Sequence, residues 1–253
     1  MLKDDEKLYF RDQLRAARAI ALRDAEAFEE IVFVVERLGK FLNPKAEKLV
    51  AKKAVLESIA QSSLLFEKIP GCFVNFHLPF TILFDLVRES RNDALHEGAF
   101  ARHLTVHAIE LSLIIEDALM SEMNLVSHFM VRNPACAYEW QPLSFIRQTM
   151  LINSFSYLPV LTETGGKKNW KLISDLAVAK YWRENRFGKK PKDSLADKLE
   201  VAIGNGMKLH DPQICKPSDE VTNALAKADQ LPILVTSEND DILLGILTPF
   251  DLL

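Results

Sequence analysis

Arg91, Asn92 and His96 place a guanidinium, a carboxamide and an imidazole within six positions of one another, between two strongly apolar segments. An imidazole titrates near neutral pH and can handle the proton of an attacking 2′-hydroxyl or of a leaving oxygen. A guanidinium keeps its charge and stabilises a phosphorane. These are the groups that cleave RNA without a metal. Asn92 or Asp93 is suited to cap a helix opening at Ala94, Leu95 and His96, with Glu97 near its positive end. The amides of that first turn can receive a phosphate. The expected catalytic set is therefore Arg91, Asn92 and His96, with Asn92 orienting the histidine or the phosphate and no metal ligand required.

The elements that must position this set read as helices. Leu14, Ala17, Ala21, Ala25, Phe28, Val32, Val35 and Leu38 recur every three or four residues, which predicts one helix from about Phe10 to Gly39. Arg11, Arg15, Arg18 and Arg23 fall mostly off that stripe and read as a solvated face. Asn43-Pro44 reads as the cap and first position of a second helix running to about Lys68. Pro70-Gly71 is a turn, and Pro79 opens a third helix that carries Phe80, Leu83, Phe84 and Val87 and ends near Ser90. A fourth helix, about Ala94 to Met120, buries Leu104, Ala108, Leu111, Ile115 and Ala118. His96, Phe100, His103, His107 and Glu110 share another of its faces. His103 and His107 have the spacing of a metal pair, but with no third ligand they read as a polar face.

The Arg91-Asn92-x3-His96 pattern between two long helices resembles the Arg-x4-6-His motif of the HEPN family, over about the first 120 residues. The resemblance implies an all-helical bundle and a metal-independent endoribonuclease whose active site forms where two motifs meet in a dimer. RNA would be the substrate, and the product would carry a 2′,3′-cyclic phosphate.

After about Met123 the pattern changes to short apolar runs, and the runs repeat. Leu158-Pro159-Val160-Leu161 is echoed by Leu231-Pro232-Ile233-Leu234, and Trp170-Lys171-Leu172-Ile173-Ser174 by Leu244-Gly245-Ile246-Leu247-Thr248. Asn133-Pro134 and Asp211-Pro212 precede the copies. Each copy reads as strand, helix, strand, turn, strand and a helix start, with hairpin turns at 164–168 and 238–241. Arg183 to Asp197 reads as a surface linker, and Gly204-Asn205-Gly206 as a turn.

This half resembles a tandem pair of CBS (cystathionine-β-synthase) domains, and Gly245-Ile246-Leu247-Thr248-Pro249-Phe250-Asp251 matches that family's Gly-φ-φ-Thr-x-x-Asp signature. The resemblance implies an adenine nucleotide (AMP, ADP or ATP) as regulatory ligand, with Thr248 on its phosphate and Asp251 on its ribose. The first copy departs from the pattern: Lys171, Ser174 and Ala177 stand where the glycine, threonine and aspartate belong. The other reading of the pair is a dimerisation scaffold.

The expected fold class is α plus α/β: an all-α bundle over 1–123, then a tandem pair with small mixed sheets over 124–253, the first copy at 124–187 and the second at 205–253. The chain has 253 residues and a formal charge of −4, which disfavours a protein that coats nucleic acid non-specifically. Cys72, Cys136 and Cys215 lack CxxC spacing, so neither a disulfide framework nor a zinc ribbon is expected. A charged N-terminus and the lack of a long apolar run point to a cytoplasmic protein without membrane contact. Two functions follow as expectations. One is a homodimeric HEPN-type endoribonuclease governed by nucleotide binding, with no cofactor needed for catalysis. The other is a non-enzymatic nucleotide-sensing regulator whose helical domain binds a protein partner.

Overall fold

The computed structural model describes residues 2–93, 98–164, 166–187, 194–228, 230–239 and 242–253. The chain divides into two compact units, Met1–Met123 and Asn124–Leu253.

The first unit is helical. Helix α1 (Asp4–Arg23) opens on Asp4, Asp5 and Glu6, carboxylates placed at the positive end of its dipole. It ends at Asp24, whose side chain accepts the Glu26 amide at 3.0 Å and starts a 3-10 turn, Ala25–Phe28. Helix α2 (Glu29–Leu42) follows. The single helix expected from Phe10 to Gly39 is thus broken at Asp24, because the Asx turn offers the backbone a local alternative. Leu14, Ala17, Ala21, Phe28, Val32, Val35 and Leu38 are nevertheless all buried.

Asn43 ends α2, its amide donating to the Gly39 carbonyl, so it does not cap the next helix. That helix, α3, covers Leu49–Ala60 and not the longer span expected. Next come the short α4 (Lys68–Cys72), α5 (Phe80–Asp93) and α6 (Gly98–Met120). Phe80, Leu83 and Phe84 from α5 and Leu111, Ile115 and Leu119 from α6 join Leu14, Ile31, Leu38 and Leu56 in one core. Each such side chain contributes about 1.5–3 kcal/mol on burial. Gly39 is needed where α2 meets α3, since a Cβ there would lie 2.7 Å from the Lys52 Cβ.

The arginine row on α1 departs from expectation. Arg11 is 6% exposed. Arg15 and Arg18 both bond the buried Glu116 of α6, Arg18 at 2.7 Å. Only Arg23 of the four is exposed. Arg15 and Arg18 are drawn inward because α6 supplies a carboxylate, while Arg11 bonds Asp12 of its own helix.

The second unit comprises α7 (Val126–Phe129), β1 (Val131–Arg132), α8 (Leu143–Asn153), β2 (Tyr157–Thr164), β3 (Lys167–Ser174), α9 (Asp175–Phe187), α10 (Leu199–Gly204), β4 (Ile214–Cys215), α11 (Val221–Lys227), β5 (Ile233–Thr236) and β6 (Leu243–Leu247). Strands β2 and β3 form one antiparallel hairpin with Leu158 opposite Ile173. Strands β5 and β6 form the other, with Leu234 opposite Ile246. The repeated sequence runs are these hairpins.

Each hairpin is completed by two lead-in segments. Beside β2–β3, Ala137 pairs in parallel with Val160 and His210 pairs antiparallel with Leu172. Beside β5–β6, β4 is parallel to β5 and β1 antiparallel to β6. The stretch before each copy therefore gives its first part to the other copy and its second part to its own. The helical pieces obey the same exchange. Leu199 and Glu200 amides donate to Gln141 and Glu139 carbonyls, while Val126 and Ser127 amides donate to Asp219 and Pro217 carbonyls. Leu199, Ala202 and Met207 seal the core of the first copy, and Val126 and Met130 that of the second. The two cores do not follow the order of the chain.

Candidate functional site

Arg91 and Asn92 lie in the last turn of α5, and Asp93 is still helical. The expectation that Asn92 or Asp93 acts as a helix cap is corrected, since both are helical residues of α5; the helix start expected at Ala94 lies outside the described residues. The side chains of Arg91 and Asn92, and His96 altogether, lie outside the described residues. On α6, His103 is exposed and its ring centroid is 6.3 Å from that of His107. His107 Nδ1 lies 3.9 Å from Glu110 Oε2 without a hydrogen bond. Among the described residues no three histidine, cysteine or acidic side chains gather as metal ligands.

The second copy builds a more complete constellation at the end of β6. Gly245 lies against the lead-in strand so closely that a Cβ would be 2.7 Å from Met130 Sδ and 3.0 Å from the Val131 carbonyl oxygen. Two residues past β6, Pro249–Leu252 forms a 3-10 turn with Thr248 as its cap. Proline suits its first position because its φ is already set. The amide and hydroxyl of Thr248 both donate to Asp251 Oδ2, each at 2.7 Å. Asp251 is buried. Beside the same strand the lead-in turns at Asn133, which has φ 50° and donates its amide to Leu244. Asparagine tolerates that left-handed backbone better than most residues. Cys136 follows, its thiol donating to the Pro134 carbonyl at 3.3 Å, and burial raises its pKa.

The first copy fills the corresponding place differently. Ser174 Oγ accepts the Ala177 amide at 3.1 Å and lies 3.2 Å from His210 Nε2. Tyr157 meets the His210 ring edge-on at 6.0 Å. Lys171, where the second copy has Gly245, pairs with Asp211. His210 is not among the residues the sequence pattern singles out. Its signal was available: extending the repeat backwards aligns 210–212 with the lead-in before Pro134.

Helices α8 and α9 carry a groove of about 380 Å³ lined by Met150, Leu151, Leu176, Val178 and Trp182, with Asp175 at its margin. The Arg147 and Arg183 guanidiniums lie 5.1 and 4.4 Å from the Trp182 ring centroid. Phe145, Leu151, Ile152, Phe155 and Leu176 are exposed around it. Among the described residues no helix is long and apolar enough to cross a membrane.

No protein-family model matches the chain, and no curated protein does. Solved structures similar to about half of it are CBS-domain proteins. A CBS domain-containing protein of unknown function from Bacillus anthracis is 22% identical, with 50% of this chain and 88% of that one covered and a TM-score of 0.38. CbpB, solved in complex with c-di-AMP, is 17% identical over 56% of this chain and 89% of its own, at 0.39. CBSX2, solved with AMP, is 15% identical over 50% and 91%, at 0.33.

Proposed function

We propose that the chain is a nucleotide-sensing regulatory protein. The second unit takes an adenine nucleotide at the end of β6, and the helical unit conveys occupancy to a protein partner. The observation that carries this reading is the Thr248–Asp251 pair. A buried carboxylate and a hydroxyl stand together on a turn whose glycine-bearing strand is crossed closely by the lead-in. A carboxylate has lone pairs enough to keep the Thr248 amide and accept ribose hydroxyls as well. The Thr248 hydroxyl, which bonds Asp251 at 2.7 Å, can exchange that partner for a phosphate oxygen by turning about its C–O bond. Calorimetry with AMP and ATP on the wild type and on Asp251→Ala tests the reading. Binding should weaken by roughly tenfold or more in the variant, about 1.4 kcal/mol. Equal affinity in the two proteins places the ligand elsewhere.

The chain acts as a homodimer in this reading. The support is the exposed apolar face of α8 and α9, where Asp175 and the two arginines near Trp182 allow a two-fold copy to match opposite charges.

The endoribonuclease reading keeps its own support, the Arg91-Asn92-x3-His96 spacing at the end of α5. Incubation of the pure protein with total RNA in EDTA, with and without adenine nucleotide, separates it from the regulator. Cleavage under those conditions selects the enzyme.

A further inference from the structure

The two copies are related by sequence and by pairing, yet they differ in what their lead-in segments do at the signature turn. In the second copy the Thr248 hydroxyl is held within its own turn by Asp251. In the first copy the matching hydroxyl, on Ser174, reaches across to His210, a residue of the lead-in paired with β3. One position along the same pairing, Lys171 bonds Asp211. The glycine that lets Met130 and Val131 pack against β6 is thus replaced in the first copy by a long cation, and that cation is anchored on Asp211 of the segment that pairs with β3. Ser174 is 4% exposed, and its oxygen already serves both the Ala177 amide and the His210 ring. The carboxylate is absent as well, since Ala177 stands at the aspartate position.

We infer that the first cleft is occupied by the chain's own side chains, His210 and Lys171, so that the module binds a single nucleotide per chain, in the second cleft only. Ser174–His210 and Lys171–Asp211 act as an internal ligand that fastens the lead-in of the second copy to the hairpin of the first. This rests on the nucleotide reading of the second copy. It adds stoichiometry and a fixed side against which an occupied second cleft can move.

Amide chemical-shift mapping of the full chain, titrated with AMP and in parallel with ATP, tests the inference on the wild-type protein. Saturation should shift the amides of Thr248, Phe250 and Asp251 and leave Ser174, Ala177 and His210 in place, with calorimetry giving one site per chain. His210→Ala should keep that single site and its affinity within about twofold, a difference of roughly 0.4 kcal/mol. Two sites per chain, or shifts centred on Ser174 and His210, would overturn the inference while leaving nucleotide binding intact. Shifts and heat absent everywhere would overturn the nucleotide reading and the inference together.

Discussion

Arg18 of α1 donates to Glu116 of α6 at 2.7 Å, and Arg15 binds the other oxygen of the same carboxylate. Two guanidiniums on consecutive turns of one helix thereby clamp a buried anion on another.

Removing that anion should destabilise the helical unit. Glu116→Ala is expected to cost about 3 kcal/mol, because two partly buried cations are left facing each other. Glu116→Gln keeps an acceptor oxygen and should cost less. Urea denaturation is the measurement, and a lower midpoint at unchanged slope is the expected result. A Glu116→Ala midpoint equal to that of the wild type would make the clamp decorative.

Gly245→Ala should strain the second copy, since the new Cβ meets Met130 Sδ at 2.7 Å. Overpacking of this kind costs about 1–3 kcal/mol. Gly71→Ala, with nothing near its Cβ, is the matched control. Thermal melts of the two variants should separate, with only Gly245→Ala lowered.

The three thiols should react in a set order. Cys72 is exposed and Cys215 buried, while burial pushes the Cys136 thiol pKa up. A raised thiol pKa keeps the group neutral, and the thiolate is the nucleophile. Peptide mass spectrometry after iodoacetamide treatment at pH 8 should find Cys72 labelled first. Cys136 labelling should rise as the pH is raised further, because its raised pKa delays the thiolate. Early labelling of Cys136 at pH 8 would mean that its segment opens readily.

The groove on α8 and α9 predicts the oligomeric state. Light scattering at micromolar concentration should give a dimer, and Leu151→Asp should shift it toward monomer by burying an unpaired charge. A wild-type monomer at that concentration counts against the homodimer and against any composite RNA site.

If the chain cleaves RNA, His96→Ala should slow it roughly 10²–10⁴-fold, the usual worth of a general acid or base. Arg91→Ala should be impaired too, and Arg91→Lys only partly restored, because an ammonium lacks the planar fork. Melts within a few degrees of wild type keep the comparison valid. Cleavage that survives both alanine variants would assign the activity to a contaminant.

Local pattern made much of each unit legible. Leu14, Ala17, Ala21, Phe28, Val32, Val35 and Leu38 of the stripe are buried, and the paired runs at Leu158 and Leu231 lie in the hairpins. The break at Asp24 was hidden because the apolar phase continues across the 3-10 turn. Asn43-Pro44 carries the chemistry of a helix start, yet the Asn43 amide is taken by Gly39 and the chain turns instead. Arg15 and Arg18 were read as solvated because their partner is about a hundred positions away, beyond any periodicity. The lead-in exchange is likewise long-range, and so was His210 beside Ser174. Thr248 and Asp251 stand out in the sequence through the Gly245–Asp251 signature run, and the hydrogen bond between them is local, spanning three residues.

The crossed lead-ins bear on what can be cut from this protein. A fragment ending before Leu199 lacks Leu199, Ala202 and Met207, the apolar cover of its own core. A fragment starting after Met130 lacks the cover of the second. Two such half-modules in solution have reciprocal vacancies and should find each other as separate chains do. The covalent link makes that encounter intramolecular, at an effective concentration of about the millimolar range for a short tether. In that sense each half is the obligate subunit of the other, and the tandem pair is a dimer written into one polypeptide.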